Sequence, residues 1–287
     1  CGYKLRTLYI TDLDGTFLND NAEVSKESRD IINALSRDGL LFSVATARSL
    51  LSARELLDGI EFNAPIVLSS GVFVYDMKEK KTVNCFYLSN NNFSKIISIF
   101  ESADKSPFVF FFNKDTEEYD LQFTSLKLPI HKEYYETRRR SMGNIIHQAD
   151  KICAKDGFAP VFVSLCDKYE DLLPITKQLD LLDGVGYSFY GDTYTQYWFL
   201  EVFNKKATKL KGLEIVKDYV KADKVIAFGD NRNDLPLFSG ADEKYAVGNA
   251  VDELKAVATK IIGSNNENSV ARFIKEDFRN CFVDNNT

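Results

Sequence analysis

The chain has 287 residues, of which 45% are hydrophobic and 27% are charged, and its formal net charge is −6. This length suits two domains, and the composition is typical of a globular protein that buries a sizeable core without disulfide staples. The negative charge argues against a nucleic-acid partner, because such binding depends on Lys and Arg neutralising phosphates. The apolar runs are too short to span a membrane, and no charged segment precedes one, so we expect neither a membrane partner nor a signal peptide.

The cysteines and histidines argue against two other classes of protein. The five cysteines are scattered with no CxxC spacing, and the chain has only two histidines. This pattern favours neither a disulfide framework nor a zinc site. We therefore expect a protein of the reducing cytoplasm.

Strands and helices alternate along the first 80 residues. Residues 8–10 form an apolar run that predicts a buried strand, and a helix with an apolar stripe follows from about Ser25. A second apolar run covers 40–45, a leucine-rich helix covers about 50–57, and a third strand covers 66–68. Short continuous apolar runs fit strands buried on both faces, so this order predicts a parallel sheet with right-handed crossovers.

The pattern changes at about residue 73. Residues 73–75 and 82–88 flank a polar turn and predict a hairpin. Helices and longer, more aromatic strands follow to about residue 196, as in 108–112 and 161–166. This composition is typical of an inserted α+β domain. The first pattern resumes after about residue 204, with a helix, a buried strand at 225–228 and further βα elements.

Two acids lie at the end of the first predicted strand, in the run DLDGT at 12–16. Asp12 and Asp14 are two residues apart, so on an extended chain their side chains point to the same face. In open α/β sheets ligands bind at the carboxyl ends of the strands. Two close carboxylates repel each other unless a cation lies between them, which favours a metal. The ordinary structural alternative is an Asx turn or a helix cap.

Two further candidates follow other strand ends and are weaker when taken alone. Thr46, followed two residues later by Arg48, ends the second strand, where a hydroxyl can donate to a phosphate oxygen or simply cap the next helix. Lys209 lies at a helix start, where the macrodipole disfavours a cation, so it is either paired with an anion or part of a solvated lysine cluster.

A second acidic loop, GDNRND at 229–234, follows the strand at 225–228. Its carboxylates and amides are hard oxygen ligands, which suit Mg²⁺. The alternative is an acidic helix N-terminus, but the strand that ends in Gly229 favours a functional site.

Taken together, the four motifs resemble those of the haloacid dehalogenase superfamily of phosphotransferases. They are DLDGT at 12–16, the threonine of SVATAR at 43–48, Lys209, and GDNRND at 229–234. The chain is most similar to the Cof-like sugar-phosphate phosphatases with a type C2 cap. The resemblance implies an α/β fold, with a Rossmann-like parallel-sheet core at 1–85 and 198–287 and an inserted α+β cap at 86–197 that selects the substrate.

The resemblance also implies catalytic roles. Asp12 is expected to be the nucleophile that forms an aspartyl-phosphate, and Asp14 the general acid and then the general base. Thr46 and Asn233 are expected to bind the phosphoryl group, and Arg48 the substrate. Lys209 is expected to neutralise the phosphoryl group and to hold Asp12.

The implied cofactor is Mg²⁺, whose expected binding residues are Asp12, Asp14 (through its backbone carbonyl), Asp230 and Asp234. The last of these is expected either to support the metal site or to hold Lys209. The implied partner is a small phosphorylated metabolite, bound by a monomer or a small homo-oligomer. Two alternatives to a phosphatase remain open from the sequence: a phosphomutase, and a non-catalytic phospho-ligand sensor on the same fold.

Overall fold

The structure is a computed structural model that describes residues 5–192 and 195–283. In chain order, its strands and helices are β1 (Thr7–Thr11), α1 (Lys26–Arg37), β2 (Leu41–Val44), α2 (Leu50–Leu56), β3 (Ile66–Leu68), β4 (Phe73–Asp76), β5 (Lys81–Cys85), α3 (Asn90–Ser102), β6 (Phe108–Asn113), β7 (Glu118–Phe123), α4 (Pro129–Met142), β8 (Ile146–Gln148), β9 (Ala159–Asp167), α5 (Tyr169–Leu179), β10 (Val185–Gly191), β11 (Trp198–Asn204), α6 (Lys209–Val220), β12 (Lys224–Gly229), α7 (Leu235–Ser239), β13 (Glu243–Ala246), α8 (Asp252–Lys255), β14 (Lys260–Ile261) and α9 (Ser269–Val283).

The chain divides into two compact units, with boundaries after Asn84 and after Ala207. The second boundary lies about ten residues beyond the predicted one. The predicted boundary falls just before strand β11, which pairs antiparallel with β9 and β10 and therefore belongs to the second unit. Its aromatic, partly buried residues pack in that sheet, and the chain leaves the unit only after the strand ends.

The first unit is built on a parallel sheet of order β14-β13-β12-β1-β2. Strands β1 and β12 lie side by side at its centre, with Thr11 opposite Phe228. The apolar runs predicted from the sequence are fully buried in this sheet, including Leu8, Tyr9 and Ile10. Helices α1 and α9 pack against each other beside it. The carboxyl ends of β1, β2 and β12 therefore share one edge of the sheet.

The third predicted strand departs from the expected parallel order. A single parallel bridge joins Ala45 to Val67, and β3 otherwise pairs antiparallel with β4, in a separate sheet of order β3-β4-β5. Ser69 and Ser70 both have positive φ, which turns the chain back so that Leu68 lies opposite Phe73. Such a turn is a local conformation that an apolar run does not reveal.

The second unit is an α+β domain with a six-stranded sheet of order β10-β11-β9-β6-β7-β8. Its strands pair antiparallel except for β7 with β8. Helices α3 and α5 cover one face through buried residues such as Phe100 and Leu172, which pack with Val163 and Leu200 of the sheet. The expected fold class, a parallel α/β core with an inserted α+β domain, is confirmed. Among the described helices, none has the length and apolar character needed to cross a membrane.

Candidate active site

The candidate site lies in the first unit, where β1 and β12 end side by side. Asp12 follows β1, and its backbone N–H donates to the Phe228 carbonyl at 3.0 Å. Asp230 follows β12 directly. The parallel register of these strands therefore brings together two acids that lie 218 positions apart in the sequence.

Lys209 joins this pair from the first position of α6. Thr208 caps the helix, since its side chain accepts the Lys211 backbone N–H. The Lys209 Nζ lies 2.6 Å from Asp12 Oδ1 and 2.7 Å from Asp234 Oδ1, and all three side chains are buried. The Lys209 ammonium is thus buried between two carboxylates. Of the two alternatives left open by the sequence, Lys209 is paired with anions and is not part of a solvated lysine cluster.

The electrostatics of the site show an excess of negative charge. Burial raises the pKa of Asp12 to about 7, although the charge of Lys209 acts in the opposite direction. Burial, with the nearby charge of Asp234, raises the pKa of Asp230 to about 6. Burial alone would lower the pKa of Lys209, but the two carboxylates outweigh it and hold that pKa above its usual range. One lysine thus faces three acids.

This donor set fits a divalent cation. One carboxylate oxygen from each of Asp12, Asp230 and Asp234 lies within 4.8 Å of the others. Hard carboxylate oxygens are the ligands that Mg²⁺ prefers, and a cation among them would stabilise the ionised carboxylates that burial disfavours.

Asp234 differs from the other two acids because both of its oxygens have partners. Oδ1 accepts from Lys209, and Oδ2 accepts the backbone N–H groups of Asp230 at 3.0 Å and Asn231 at 3.2 Å. This carboxylate therefore holds the lysine and the 229–234 loop together. Of the two roles expected for it, the geometry favours support over direct binding of a metal.

Gly15 and Thr16 shape the loop around Asp230. Gly15 has a φ of +71°, a conformation that favours glycine, and a Cβ at this position would clash with Asp230 Oδ2. The buried Thr16 hydroxyl donates to Asp230 Oδ1 at 3.3 Å. Neither residue was predicted to have a role, although both stand inside the DLDGT motif.

Asp14 points away from the acidic cluster and pairs with Arg48. The guanidinium makes two contacts, from Nε to Asp14 Oδ2 at 2.8 Å and from Nη2 to Oδ1 at 2.6 Å. Arg48 Nη1 also donates to the Ser52 hydroxyl at 3.1 Å. The hydrogen bond with Asp14 raises the pKa of Arg48 above its ordinary value. The Asp14 carboxylate is half exposed and does not join the other three acids.

The remaining predicted residues lie at the expected strand ends, with different surroundings. Thr46 is fully buried just beyond β2, and its hydroxyl accepts the Arg48 backbone N–H at 3.1 Å. Its own backbone N–H donates to the Val67 carbonyl. Asn233 lies in the short turn before α7 with an exposed side chain. The structure thus brings Asp12, Asp230 and Asp234 together, with Lys209 bonded to Asp12 and Asp234. It also ties Thr46 to the Arg48–Asp14 pair.

Fold and site together define an α/β enzyme with a carboxylate–lysine centre at the carboxyl edge of a parallel sheet. The sequence model of the haloacid dehalogenase-like hydrolases matches residues 9–274. The chain belongs to this family.

Relatives of known or assigned activity are similar over almost the whole chain. A 5-amino-6-(5-phospho-D-ribitylamino)uracil phosphatase of Bacillus subtilis is 26% identical over 286 residues, which cover 94% of this chain and 97% of the relative. A phosphoglycolate phosphatase of Methanopyrus kandleri is 24% identical over 275 residues, which cover 95% and 97%.

Solved structures share the fold. A crystal structure from Thermotoga maritima superposes with a TM-score of 0.72 at 22% identity and covers 95% of this chain and 97% of its own. A sugar phosphatase of haloacid dehalogenase subclass IIB superposes with a TM-score of 0.64 at 17% identity, covering 94% and 98%. At this identity the likeness concerns the fold alone.

Proposed function

We propose that this phosphatase hydrolyses small phosphomonoesters, sugar phosphates in particular, through an aspartyl-phosphate formed on Asp12 and with Mg²⁺ as cofactor. The contact of the Lys209 Nζ with Asp12 Oδ1 is the observation that carries the proposal. It joins the predicted nucleophile to a buried positive charge, which is what phosphoryl transfer needs around the equatorial oxygens.

In the first half-reaction a carboxylate oxygen of Asp12 attacks phosphorus. The new O–P bond forms as the bond to the leaving alkoxide breaks, and Asp14 in its acid form donates a proton to that alkoxide. Lys209 keeps Asp12 oriented and offers its charge to the phosphoryl oxygens. Asp234 holds the ammonium in place, since it is the second carboxylate in contact with Nζ.

In the second half-reaction Asp14 takes a proton from water as the water oxygen bonds to phosphorus. The bond between phosphorus and Asp12 breaks, which releases inorganic phosphate and restores the carboxylate. For the first step Asp14 has to leave Arg48, because the guanidinium occupies both of its carboxylate oxygens. A guanidinium binds phosphate with the same two-point geometry, so the substrate phosphate competes for Arg48 and frees Asp14.

The metal would be held by Asp12 and Asp230, with the backbone carbonyl of Asp14 as a further proposed ligand. When bound, Mg²⁺ supplies positive charge to the phosphoryl oxygens and to the nucleophile. Thr46 and Asn233 are proposed to contact the phosphoryl group. Asp234 is assigned to Lys209 and to the loop, since both of its oxygens are engaged.

We further propose that the unit between Cys85 and Ala207 selects the ester, as the cap of the similar phosphatases is expected to do. The subclass IIB sugar phosphatase and the two phosphatases named above support a small phosphorylated metabolite as the substrate. A cytoplasmic location is part of the proposal, and it is supported by Cys85, Cys153 and Cys166, which are free.

The proposal is tested by phosphate release from a panel of small phosphomonoesters, with Mg²⁺ and with a chelator. Wild type and Asp12→Asn are compared, since the amide keeps the shape but cannot attack. We expect metal-dependent release that the variant loses while its circular dichroism spectrum stays unchanged. Full activity in Asp12→Asn would refute the covalent route, and an isomeric sugar phosphate in place of free phosphate would indicate a mutase.

A further inference from the structure

The loop after β13 makes contact with both of the loops that carry the proposed metal ligands. Its backbone continues the parallel ladder, with the Val247 N–H donating to the Gly229 carbonyl at 3.2 Å. Four residues further on, the Val251 N–H donates to the Asp230 carbonyl at 2.8 Å. Residues 247–251 therefore fix the backbone of the loop that carries Asp230.

The side chain of Asn249, in the same loop, reaches the other acid loop. Its Nδ2 donates to the Gly15 carbonyl at 2.8 Å, and its Oδ1 accepts the Asn265 backbone N–H at 3.0 Å. Both partners are backbone groups of fixed polarity, so the orientation of the amide is determined. Asn249 is exposed to solvent, yet both the Nδ2 and the Oδ1 of its amide make hydrogen bonds within the protein.

Gly15 is the residue in this motif whose peptide most needs to be held. Its positive φ is a conformation that favours glycine, and a Cβ at this position would clash with the Asp230 carboxylate. The next residue, Thr16, donates its hydroxyl to that carboxylate. A rotation of the Gly15–Thr16 peptide would therefore disturb the hydroxyl contact and the spacing between the Asp12 and Asp230 loops.

The anchor of Asn249 is itself well buried. Asn265 is 4% exposed, and its side-chain Nδ2 donates to the Leu18 carbonyl at 3.1 Å and to Asp20 Oδ1 at 3.0 Å. Asn265, which holds Asn249, is thus bonded to Leu18 and Asp20, just after the DLDGT loop in the sequence. This arrangement fixes one end of the Asn249 amide so that the other end can hold Gly15.

We propose that Asn249 is a positioning residue: by holding the Gly15 carbonyl it keeps the 12–16 loop and Asp230 at the spacing that Mg²⁺ binding requires. Asn249 acts through Gly15 and touches neither substrate nor metal. The consequence for Mg²⁺ rests on the proposed function, whereas the anchoring of the loop does not. The two parts are therefore measured separately.

Three variants separate the contacts. Asn249→Ala loses both hydrogen bonds. Asn249→Asp can still accept from the Asn265 N–H but cannot donate to Gly15, and it serves alone if the alanine variant does not fold. Asn266→Ala is the matched control, because the side chain of Asn266, at the position after Asn265, makes its hydrogen bonds with Asp20.

Hydrogen–deuterium exchange of the metal-free proteins tests the anchoring. We expect peptides covering residues 12–18 to exchange about tenfold faster in both Asn249 variants, as the loss of one net hydrogen bond of ordinary strength implies. We expect Asn266→Ala to exchange like wild type in this segment. Unchanged exchange in Asn249→Ala and Asn249→Asp, or an equal increase in the control, would overturn the inference.

Isothermal titration with Mg²⁺ alone tests the consequence for the metal. We expect the dissociation constant to rise roughly five- to tenfold in both Asn249 variants and to stay within twofold in Asn266→Ala. An unchanged constant in the Asn249 variants would refute the positioning role. If wild type itself bound no Mg²⁺, the proposed cofactor would be wrong, and the exchange measurement would still decide whether Asn249 anchors the loop.

Discussion

Arg48 and Asp14 form a two-point ion pair, with Nε and Nη2 of the arginine on the two carboxylate oxygens at 2.8 and 2.6 Å. In this pair the Arg48 guanidinium, a group that can bind phosphate, is in direct contact with the proposed general acid Asp14. It also sets Asp14 apart from Asp12, although the two acids are only two residues apart. The site thus separates the proposed nucleophile, which is buried and bound to a lysine, from the proposed general acid, which is half exposed and bound to an arginine.

Replacing Arg48 with lysine is expected to weaken substrate binding more than turnover. A lysine is a point charge and cannot reproduce the two-point contact with a carboxylate or a phosphate. We expect KM to rise about tenfold for Arg48→Lys and kcat to change less, as steady-state kinetics would show. Arg54→Lys, on the same stretch of chain but bonded to the Tyr75 hydroxyl, is the control and should leave KM unchanged. Equal changes of KM in Arg48→Lys and Arg54→Lys would show that Arg48 does not bind the substrate.

Truncating Lys209 is expected to destabilise the fold as well as to abolish turnover. Asp12 and Asp234 would be left as buried charges without a cation, which costs about 3–5 kcal/mol of unfolding free energy. Urea unfolding of Lys209→Ala at neutral pH measures this loss. Lys211→Ala, two positions along the same helix, removes an exposed lysine paired with Glu214 and should change stability by less than about 1 kcal/mol. A Lys209→Ala protein as stable as wild type would contradict the buried pairing.

The stability of the metal-free enzyme is expected to fall as pH rises through the weakly acidic range. Burial raises the pKa of Asp12 from 3.8 to about 7 and that of Asp230 from 3.8 to about 6. Between about pH 4 and pH 7 the folded state therefore binds more protons than the unfolded state, so the free energy of unfolding decreases with pH. Urea unfolding in the presence of a chelator, at a series of pH values, measures the slope.

Asp12→Asn supplies the control for this pH dependence. The amide does not titrate, so the variant should show a flatter profile and should gain stability relative to wild type near pH 7. A profile in Asp12→Asn identical to that of wild type would show that burial of this carboxyl is not the cause of the slope.

Magnesium is expected to oppose the same fall in stability. The cation is proposed to bind the ionised carboxylates of Asp12 and Asp230, so its affinity should weaken as pH drops below about 7 and protons compete. Thermal unfolding with and without Mg²⁺, at pH 5 and pH 8, measures the difference. The stabilisation by Mg²⁺ should be larger at pH 8, and equal stabilisation at the two pH values would argue against carboxylate ligands.

Part of the site was predictable from the sequence, because strand ends in a parallel sheet share an edge. Asp12, Lys209 and Asp230 were all predicted to lie at strand ends or helix starts, and the structure brings them together. The pairing of Asp14 with Arg48 was not predicted, since it depends on side-chain directions that spacing does not encode. Asp234 was expected either to support the metal site or to hold Lys209, and the contacts of its two oxygens, which distinguish the two roles, are visible only in three dimensions.

The fold was predictable where apolar runs are long and periodic, and less so at turns and boundaries. After strand β3 the chain turns back through Ser69 and Ser70, which both have positive φ. Serine is not a residue type that predicts this conformation. The predicted domain boundary separated strand β11 from the second unit, because its pairing with β9 and β10 cannot be inferred from its own residues. A role for Asn249 was not predicted for a related reason, since it depends on hydrogen bonds to two backbone groups that are distant in the sequence.

Direct detection of phosphate on Asp12 is the measurement that tests the central proposal most closely. The enzyme is mixed with a turned-over phosphomonoester and Mg²⁺, quenched in acid within milliseconds, digested and examined by mass spectrometry. We predict a phosphorylated peptide whose modification maps to Asp12, absent from Asp12→Asn treated in the same way. Rapid release of phosphate with no phosphopeptide at any quench time, or a modification on another residue, would contradict Asp12 as the nucleophile.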